Sequence, residues 1–114
     1  ITIFKNGKQT RTFCYVTDAI TAMLLVIIKG EKFVYNIGCN TPEINMQKLH
    51  KVIEKSLSRK IAHKNINYPK DYPQVEPLRR CPDISKLRKE LKFVNKVSLN
   101  DSIKRFFIWS DKYY

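Results

Sequence analysis

Arginine is the residue type in this chain whose placement most suggests binding chemistry. Arg11 lies in the middle of the stretch QTRTFCYVTD, residues 9–18, whose alternating pattern predicts a strand. An ordinary structural strand gains little from an arginine there. A guanidinium carries a rigid, planar set of N–H donors that suits an anion with several oxygens. Arg11 therefore either binds an anion or only adds solubility, and the local pattern leaves both open.

Two more arginines, Arg79 and Arg80, stand far along the chain in the segment RRCPD. Most basic residues are lysines, 16 against 6 arginines, so arginine at selected positions is suggestive. Isolated exposed charges usually contribute nothing measurable. On the residues alone, each arginine is therefore more readily interpreted as a surface residue.

The cysteines and histidines indicate neither a catalytic site nor a metal site. Cys14, Cys39 and Cys81 are widely spaced and form no CxxC pair, which argues against a disulfide framework and fits a reducing compartment. His50 and His63 have no Cys or carboxylate partner at a metal-ligand spacing. We expect all five to be ordinary buried or surface residues.

The net charge of +12 raises the possibility of nucleic-acid binding. The lysines are scattered from Lys5 to Lys112, however, and Lys, Ile and Asn are abundant together, which is typical of a compositional bias. We therefore expect solvated lysines and no nucleic-acid partner.

A hydrophobic content of 43% with 28% charged residues is ordinary for a soluble globular chain. The longest apolar run, Ala19 to Ile28, is too short to span a bilayer, and no secretory signal opens the sequence. We expect a cytoplasmic protein with no membrane partner. Because Ile1 is not Met, we also expect coding sequence upstream.

The N-terminal region predicts a β-hairpin followed by a helix. Asn-Gly between the β-prone run Ile1–Phe4 and the alternating run Gln9–Val16 is a strong hairpin signal. Thr17 or Asp18 is then predicted to cap a helix that runs to Lys29 and stops at a glycine. This helix is apolar nearly all round, which indicates that a further layer covers it.

The remaining chain predicts one buried strand, a short strand and three helices. Phe33–Ile37 has the pattern of a buried strand, a second helix covers about 44–59, and a short strand lies near 64–68. Asp83 is predicted to cap a short helix, and the capping box at 98–101 begins the last one. The predicted class is mixed α/β, with too few strands to close a sheet alone.

Three stretches in order, NGKQTRTFCYVTDAI, VYNIG with TPEI, and RRCPDISKLRKEL with VSL, resemble one family. They are similar to the C-terminal part of the extended short-chain dehydrogenases/reductases, the NAD-dependent nucleotide-sugar epimerases, dehydratases and decarboxylases, with UDP-glucuronate decarboxylase-like members the most similar. The resemblance covers nearly all of residues 1–114. It implies a single substrate-binding segment that lacks the N-terminal Rossmann core.

The resemblance also implies roles for particular residues. Arg11 and Arg80 match the two arginines that bind the diphosphate of the sugar nucleotide. Asp83 matches a carboxylate near that site, Arg79 adds positive potential, and Asp18 matches the aspartate that starts the helix after the Tyr-Val strand. A hydrogen bond to a charged group contributes about 1.5–3 kcal/mol, so two arginines from distant segments would hold a diphosphate effectively.

The family's catalytic motifs do not occur in this sequence. There is no G-x-x-G-x-x-G turn, and none of the six tyrosines has a lysine four residues later. We therefore predict no catalytic, NAD-binding or metal-binding residues here, and no activity for the chain alone, although the parent family uses NAD. The implied partners are a nucleotide-diphosphate sugar, an N-terminal Rossmann portion and, for full-length members, a second copy.

Two lysines depart from the family pattern. Lys5 and Lys92 stand where relatives usually have glycine, in a turn and after a helix, and so remove an easy left-handed position. None of the proposed diphosphate arginines is affected.

Alternatives to nucleotide-sugar binding remain. The chain is otherwise a non-catalytic interaction module or an inactive truncated relative, and a basic nucleic-acid-binding domain is the least favoured reading. Which sugar and which reaction are involved stays open.

Overall fold

The computed structural model describes residues 1–31, 34–72 and 76–114. Within them the chain has the predicted mixed α/β class, with four helices and five short strands. The helices are α1 Val16–Lys29, α2 Met46–Leu57, α3 Ser85–Leu91 and α4 Leu99–Tyr113. The strands are β1 Thr2–Phe4, β2 Thr10–Arg11, β3 Ile44–Asn45, β4 Lys64–Ile66 and β5 Arg79–Arg80.

The strands form two small sheets, and the predicted N-terminal hairpin is wrong. β1 pairs in parallel with β4, whereas β2 lies between the antiparallel β3 and the parallel β5. The alternating run 9–16 is a strand only at Thr10–Arg11. The two runs on either side of Asn-Gly therefore belong to different sheets.

The turn at Asn6 and Gly7 does form, but long-range contacts separate the strands that flank it. The Gly7 amide donates to the Phe4 carbonyl at 3.1 Å, and Gly7 adopts a φ of 62°. The Gly7 carbonyl then accepts from the Met46 amide at 3.0 Å, and the Asn6 carbonyl accepts from Gln47 Nε2 at 2.8 Å. Because these carbonyls bind the start of α2, the chain leaves the turn away from β1.

Helix α1 begins one residue before the earliest predicted cap. Tyr15 occupies the N-cap position without a side-chain hydrogen bond, so the prediction that Thr17 or Asp18 caps the helix is wrong. Asp18 is buried instead, and its Oδ2 accepts from the Lys96 and Val97 amides at 3.0 Å each. This carboxylate therefore connects the first turn of α1 to the segment that leads into α4.

Gly30 ends α1 as predicted, but not through a left-handed conformation. Its φ is −74°, and its amide donates to the Val26 carbonyl at 2.9 Å. A Cβ at this position would lie 2.4 Å from that same carbonyl oxygen. The glycine is therefore required by a close backbone approach.

The strand predicted at Phe33–Ile37 is not observed where the structure describes it. Phe33 lies outside the described residues, and residues 34–37 form no strand. A strand needs a neighbouring ladder to satisfy its backbone groups, and this segment contacts helix α3 instead. Lys86 Nζ donates to the Val34 carbonyl, and the Tyr35 hydroxyl donates to Glu90 at 2.7 Å.

Helix α2 is shorter than predicted, because its first two expected residues form β3. Asn45 then caps the helix by accepting from the Lys48 amide at 2.8 Å. The capping box that begins α4 is confirmed, since Ser98 Oγ accepts from the Asp101 amide at 3.1 Å. The short strand near 64–68 is confirmed as β4.

The two lysines at family glycine positions both adopt the left-handed conformation. Lys5 has a φ of 50° and Lys92, the C-cap of α3, has a φ of 53°. Both turns therefore use the left-handed conformation at a residue whose side chain makes it less favourable than it is for glycine.

The core lies between α1 and α3, around Ala22, Leu87 and Phe93. The other face of α1 is exposed: Leu24 is 51% and Ile27 78% accessible. Among the described residues, no helix has the length and apolar character that crossing a membrane requires. Helix α1 therefore packs against its own chain on the side of Ala22, and its opposite, apolar side is accessible.

Candidate functional site: an arginine pair on neighbouring strands

The parallel pairing of β2 with β5 brings together the two arginines that the sequence singled out. In its register Arg11 lies opposite Arg80, and Thr10 lies opposite Arg79. The Thr10 amide extends the pairing by donating to the Leu78 carbonyl at 2.7 Å. Residues from distant segments therefore become direct cross-strand neighbours.

A carboxylate lies between the two guanidinium groups. Arg11 Nη2 forms an ion pair with Glu76 Oε1, and Arg80 Nη2 lies 4.0 Å from Glu76 Oε2. The Tyr72 hydroxyl donates to the same Oε2 at 3.2 Å. The side chains of Arg11 and Glu76 are only 16% and 18% exposed, whereas that of Arg80 is 61% exposed. The pair thus has one largely buried and one accessible arginine.

An open cavity of about 630 Å³ adjoins this strand pair. Its wall at Gly38 is tightly packed, since a Cβ there would lie 3.0 Å from Pro82 Cγ. Both arginines line it, together with a third arginine, three cysteines and small or apolar residues: Arg11, Thr12, Cys14, Ile37, Gly38, Cys39, Arg79, Arg80, Cys81 and Pro82. The cavity is in the size range of small-molecule sites and has guanidinium groups at its edge.

Arg79 lines the same cavity, but its guanidinium is hydrogen-bonded to Glu43. Arg79 Nε and Nη2 donate to the Glu43 carboxylate at 3.0 and 2.9 Å, and Thr10 Oγ1 donates to Glu43 Oε1 at 2.6 Å. The hydrogen bonds from Thr10 and then Arg79 hold the pKa of Glu43 below its usual range. Glu43 in turn raises the pKa of Arg79. This arginine is therefore largely neutralised.

Asp83 supports the start of α3. Its Oδ1 accepts from the Ser85 amide at 2.9 Å, and hydrogen bonds from the Ser85 side chain and amide lower the pKa of Asp83. The Asp83 carbonyl accepts from Asn36 Nδ2 at 3.0 Å. The prediction that Asp83 caps the helix is wrong, because Ile84 occupies the N-cap position and Asp83 forms only a local turn before it. The support of a substrate site by Asp83 stays a prediction.

Sequence reasoning missed Glu76 and its partner Tyr72. The only available signal was an acid four residues before Arg80, and such charges in a proline-containing loop are common on protein surfaces. It also treated the cysteines separately, although Cys14, Cys39 and Cys81 line one cavity. Burial is the main cause that raises the pKa of Cys14, so this thiol stays protonated at neutral pH. In the described part of the chain, no three His, Cys, Asp or Glu residues are grouped to hold a metal ion.

Comparisons with known proteins find one family model over the first third of the chain and similar enzymes over nearly all of it. Residues 1–38 match the NAD dependent epimerase/dehydratase family. The chain is 31% identical to UDP-glucuronic acid decarboxylase 3 of Arabidopsis thaliana over 90% of this chain and 29% of that protein. It is 32% identical to UDP-N-acetyl-alpha-D-glucosaminuronate decarboxylase of Bacillus cytotoxicus over 94% of this chain and 34% of the relative.

A solved structure shows the same fold. UDP-glucuronic acid 4-epimerase from Bacillus cereus, in complex with UDP-glucuronic acid and NAD, superposes with a TM-score of 0.84 at 25% identity, over 99% of this chain and 35% of that one. The fold thus matches about one third of an extended short-chain dehydrogenase/reductase. Within this class the chain resembles, in sequence and in structure, one part of the NAD-dependent epimerase/dehydratase family. It spans about a third of the length of the relatives it matches.

Proposed function

We propose that this chain is the nucleotide-sugar-binding part of an NAD-dependent epimerase, dehydratase or decarboxylase, in which Arg11 and Arg80 bind the diphosphate of a UDP- or dTDP-sugar. The observation that carries the proposal is the register of β2 and β5, which sets these two arginines side by side at the edge of one cavity. The Bacillus cereus relative, which was solved with UDP-glucuronic acid and NAD, supports the ligand class.

The two arginines suit a diphosphate because they differ in exposure. Arg11 is held in place by the strand, and its Nη1 donates to the Thr10 carbonyl at 2.7 Å. Arg80 is mostly exposed and has room to turn toward a ligand. A fixed fork and an adjustable one can each bind oxygens of a different phosphate group. Asp83, on the segment that follows Arg80, is proposed to support the site from the start of α3.

The chemistry itself is proposed to lie outside this chain. In its relatives the cofactor is NAD, and a Rossmann portion with a Gly-rich turn and a Tyr-x-x-x-Lys pair would supply the cofactor site, the general base and the hydride acceptor. We propose that the exposed apolar face of α1 packs against that portion, since Leu24 and Ile27 are accessible. The chain alone is then expected to be inactive, and a cytoplasmic location suits this chemistry.

Calorimetric titration of the full 114-residue chain with UDP-glucuronic acid tests the binding role, first alone and then mixed with the Rossmann portion of a relative. Arg11→Ala and Arg80→Ala are each expected to weaken binding about tenfold, about 1.4 kcal/mol. Arg59→Ala, on the surface after α2, is the matched control for the loss of one positive charge. Affinity that is unchanged in both cavity variants would contradict the assignment.

A second candidate function is a non-catalytic interaction module, favoured by exposed aromatic residues on α4. Phe106 is 54% and Trp109 47% accessible, and their rings lie 5.9 Å apart. Contiguous exposed apolar surface often marks a protein interface. Two measurements on the isolated chain test the module. Sedimentation gives the oligomeric state, and binding of a hydrophobic dye reports exposed apolar surface. A monomer that binds no dye would count against the module.

A further inference from the structure

We propose that Glu76 is an internal competitor of the ligand: its carboxylate occupies the arginine pair when no ligand is bound, and the diphosphate must displace it. This inference rests on the proposed function, because it needs Arg11 and Arg80 to be the diphosphate site. It adds a residue that sets the affinity of the site without belonging to the family motifs named above. Glu76 is thus proposed to act on the ligand only through the two arginines, by competing for their guanidinium groups.

Glu76 contacts the arginine pair in the way proposed for the diphosphate. Its two oxygens are divided between the two guanidinium groups, with Oε1 on Arg11 and Oε2 facing Arg80 at 4.0 Å. The Tyr72 hydroxyl donates a hydrogen bond to Oε2 at 3.2 Å. The carboxylate therefore lies between the two guanidinium groups to which a diphosphate is proposed to bind.

The charges of Arg11 and Arg80 explain why the Glu76 carboxylate and a diphosphate would not bind to them at the same time. Arg11 and Arg80 supply two positive charges, and Glu76 cancels one of them. A diphosphate linkage brings two negative charges of its own, so it matches the pair only after Glu76 has left. Because Arg11 and Glu76 are 16% and 18% exposed, water screens their interaction little, and repulsion between Glu76 and a phosphate would be strong.

At the neighbouring position of the strand pair, the third arginine of the cavity already has a carboxylate partner of its own. Glu43 already neutralises Arg79 through 2.9 and 3.0 Å hydrogen bonds. An incoming anion therefore meets its main competition at Glu76. If Glu76 only oriented Arg11, its removal would weaken binding; a competitor's removal strengthens it. The sign of the change distinguishes the two roles.

The experiment measures the affinity of the full chain for UDP-glucuronic acid by calorimetric titration, under the conditions in which the unmodified chain binds. Glu76→Gln keeps the shape of the side chain and removes its charge, and is expected to strengthen binding about tenfold. Glu76→Asp keeps the charge and is expected to stay within about threefold of the unmodified chain. Glu31→Gln, at an exposed position just after α1, is the matched control for net charge and is expected to have no effect.

A double variant connects the gain to the arginine. In Glu76→Gln combined with Arg11→Ala, the gain relative to Arg11→Ala alone is expected to be much smaller than tenfold, because Arg11 holds the closer of the two ion pairs with Glu76 and only the 4.0 Å contact with Arg80 remains. Unchanged or weaker binding by Glu76→Gln overturns this inference, and so does an equal gain in Glu31→Gln. If the two Arg→Ala variants weaken binding while Glu76→Gln brings no gain, the proposed function stands and only the role of Glu76 falls. If no variant changes affinity, or no form of the chain binds, both fall.

Discussion

The strand pair β2–β5 carries two arginine–carboxylate arrangements at neighbouring positions. At one, Arg79 donates two hydrogen bonds to Glu43, and Thr10 donates a third. At the next, Glu76 pairs with Arg11 but stands 4.0 Å from Arg80. Arg79 thus has a carboxylate partner of its own, whereas Arg11 and Arg80 share one carboxylate.

The difference shows that the partner of an arginine decides its availability more than its exposure does. Arg79 is 65% exposed, yet the Nε–Nη2 edge of its guanidinium is hydrogen-bonded to Glu43. Arg11 is 16% exposed, but the acid that pairs with it is shared and comes from a loop position. Exposure alone would therefore select Arg79 and Arg80 at the cavity and omit Arg11, whereas the contacts distinguish Arg79 from the pair Arg11 and Arg80.

Removing both members of the shared pair is expected to have the largest effect. In Arg11→Ala/Arg80→Ala, affinity for UDP-glucuronic acid should fall about 100-fold, two decades at about 1.4 kcal/mol each. Calorimetric titration measures the loss, and circular dichroism checks that the fold is retained. A loss no greater than that of one single variant would show that the two arginines do not act on the same diphosphate independently.

The engaged arginine should matter much less for binding. Arg79→Ala is expected to change the same affinity less than about twofold, because Glu43 already holds its guanidinium. Arg79→Lys keeps the charge and is the matched variant for the lost fork of donors. A tenfold loss in Arg79→Ala would erase the distinction between the two arrangements and place Arg79 in the ligand site.

The smallest effect is a pH dependence of stability at Glu43. The hydrogen bonds from Thr10 and Arg79 lower the pKa of Glu43 in the folded chain, so its contribution to stability is present above the unfolded carboxyl pKa, about 4.3, and is lost as pH falls through the lower folded value. The Tm of the unmodified chain should exceed that of Glu43→Gln slightly at pH 7. Thermal unfolding from pH 7 to 3 should show the difference shrinking below about pH 4; a constant difference would contradict it.

The sequence was informative where local contacts determine structure. The capping box at Ser98 predicted the start of α4 because both of its partners lie within one helical turn. The Asn-Gly turn was also recognised correctly, but its strands pair elsewhere, since the start of α2 binds the Asn6 and Gly7 carbonyls. Local pattern cannot encode a contact with a segment so far along the chain.

The same limit applies to the candidate site. Arg11 and Arg80 were selected by family motifs, and their adjacency follows from a parallel register that no local pattern predicts. Glu76 was missed because an acid in a loop carries no periodicity. Asp18 was placed at the correct helix but assigned to the wrong contact, since its amide partners lie near residue 96.

Asp18 also has a consequence for backbone dynamics. Its carboxylate accepts the amides of Lys96 and Val97, which lie in no helix or strand. Exchange of these two N–H groups requires the hydrogen bonds to the buried carboxylate to break. We therefore expect both amides to exchange more slowly than the other amides of the irregular segment around them.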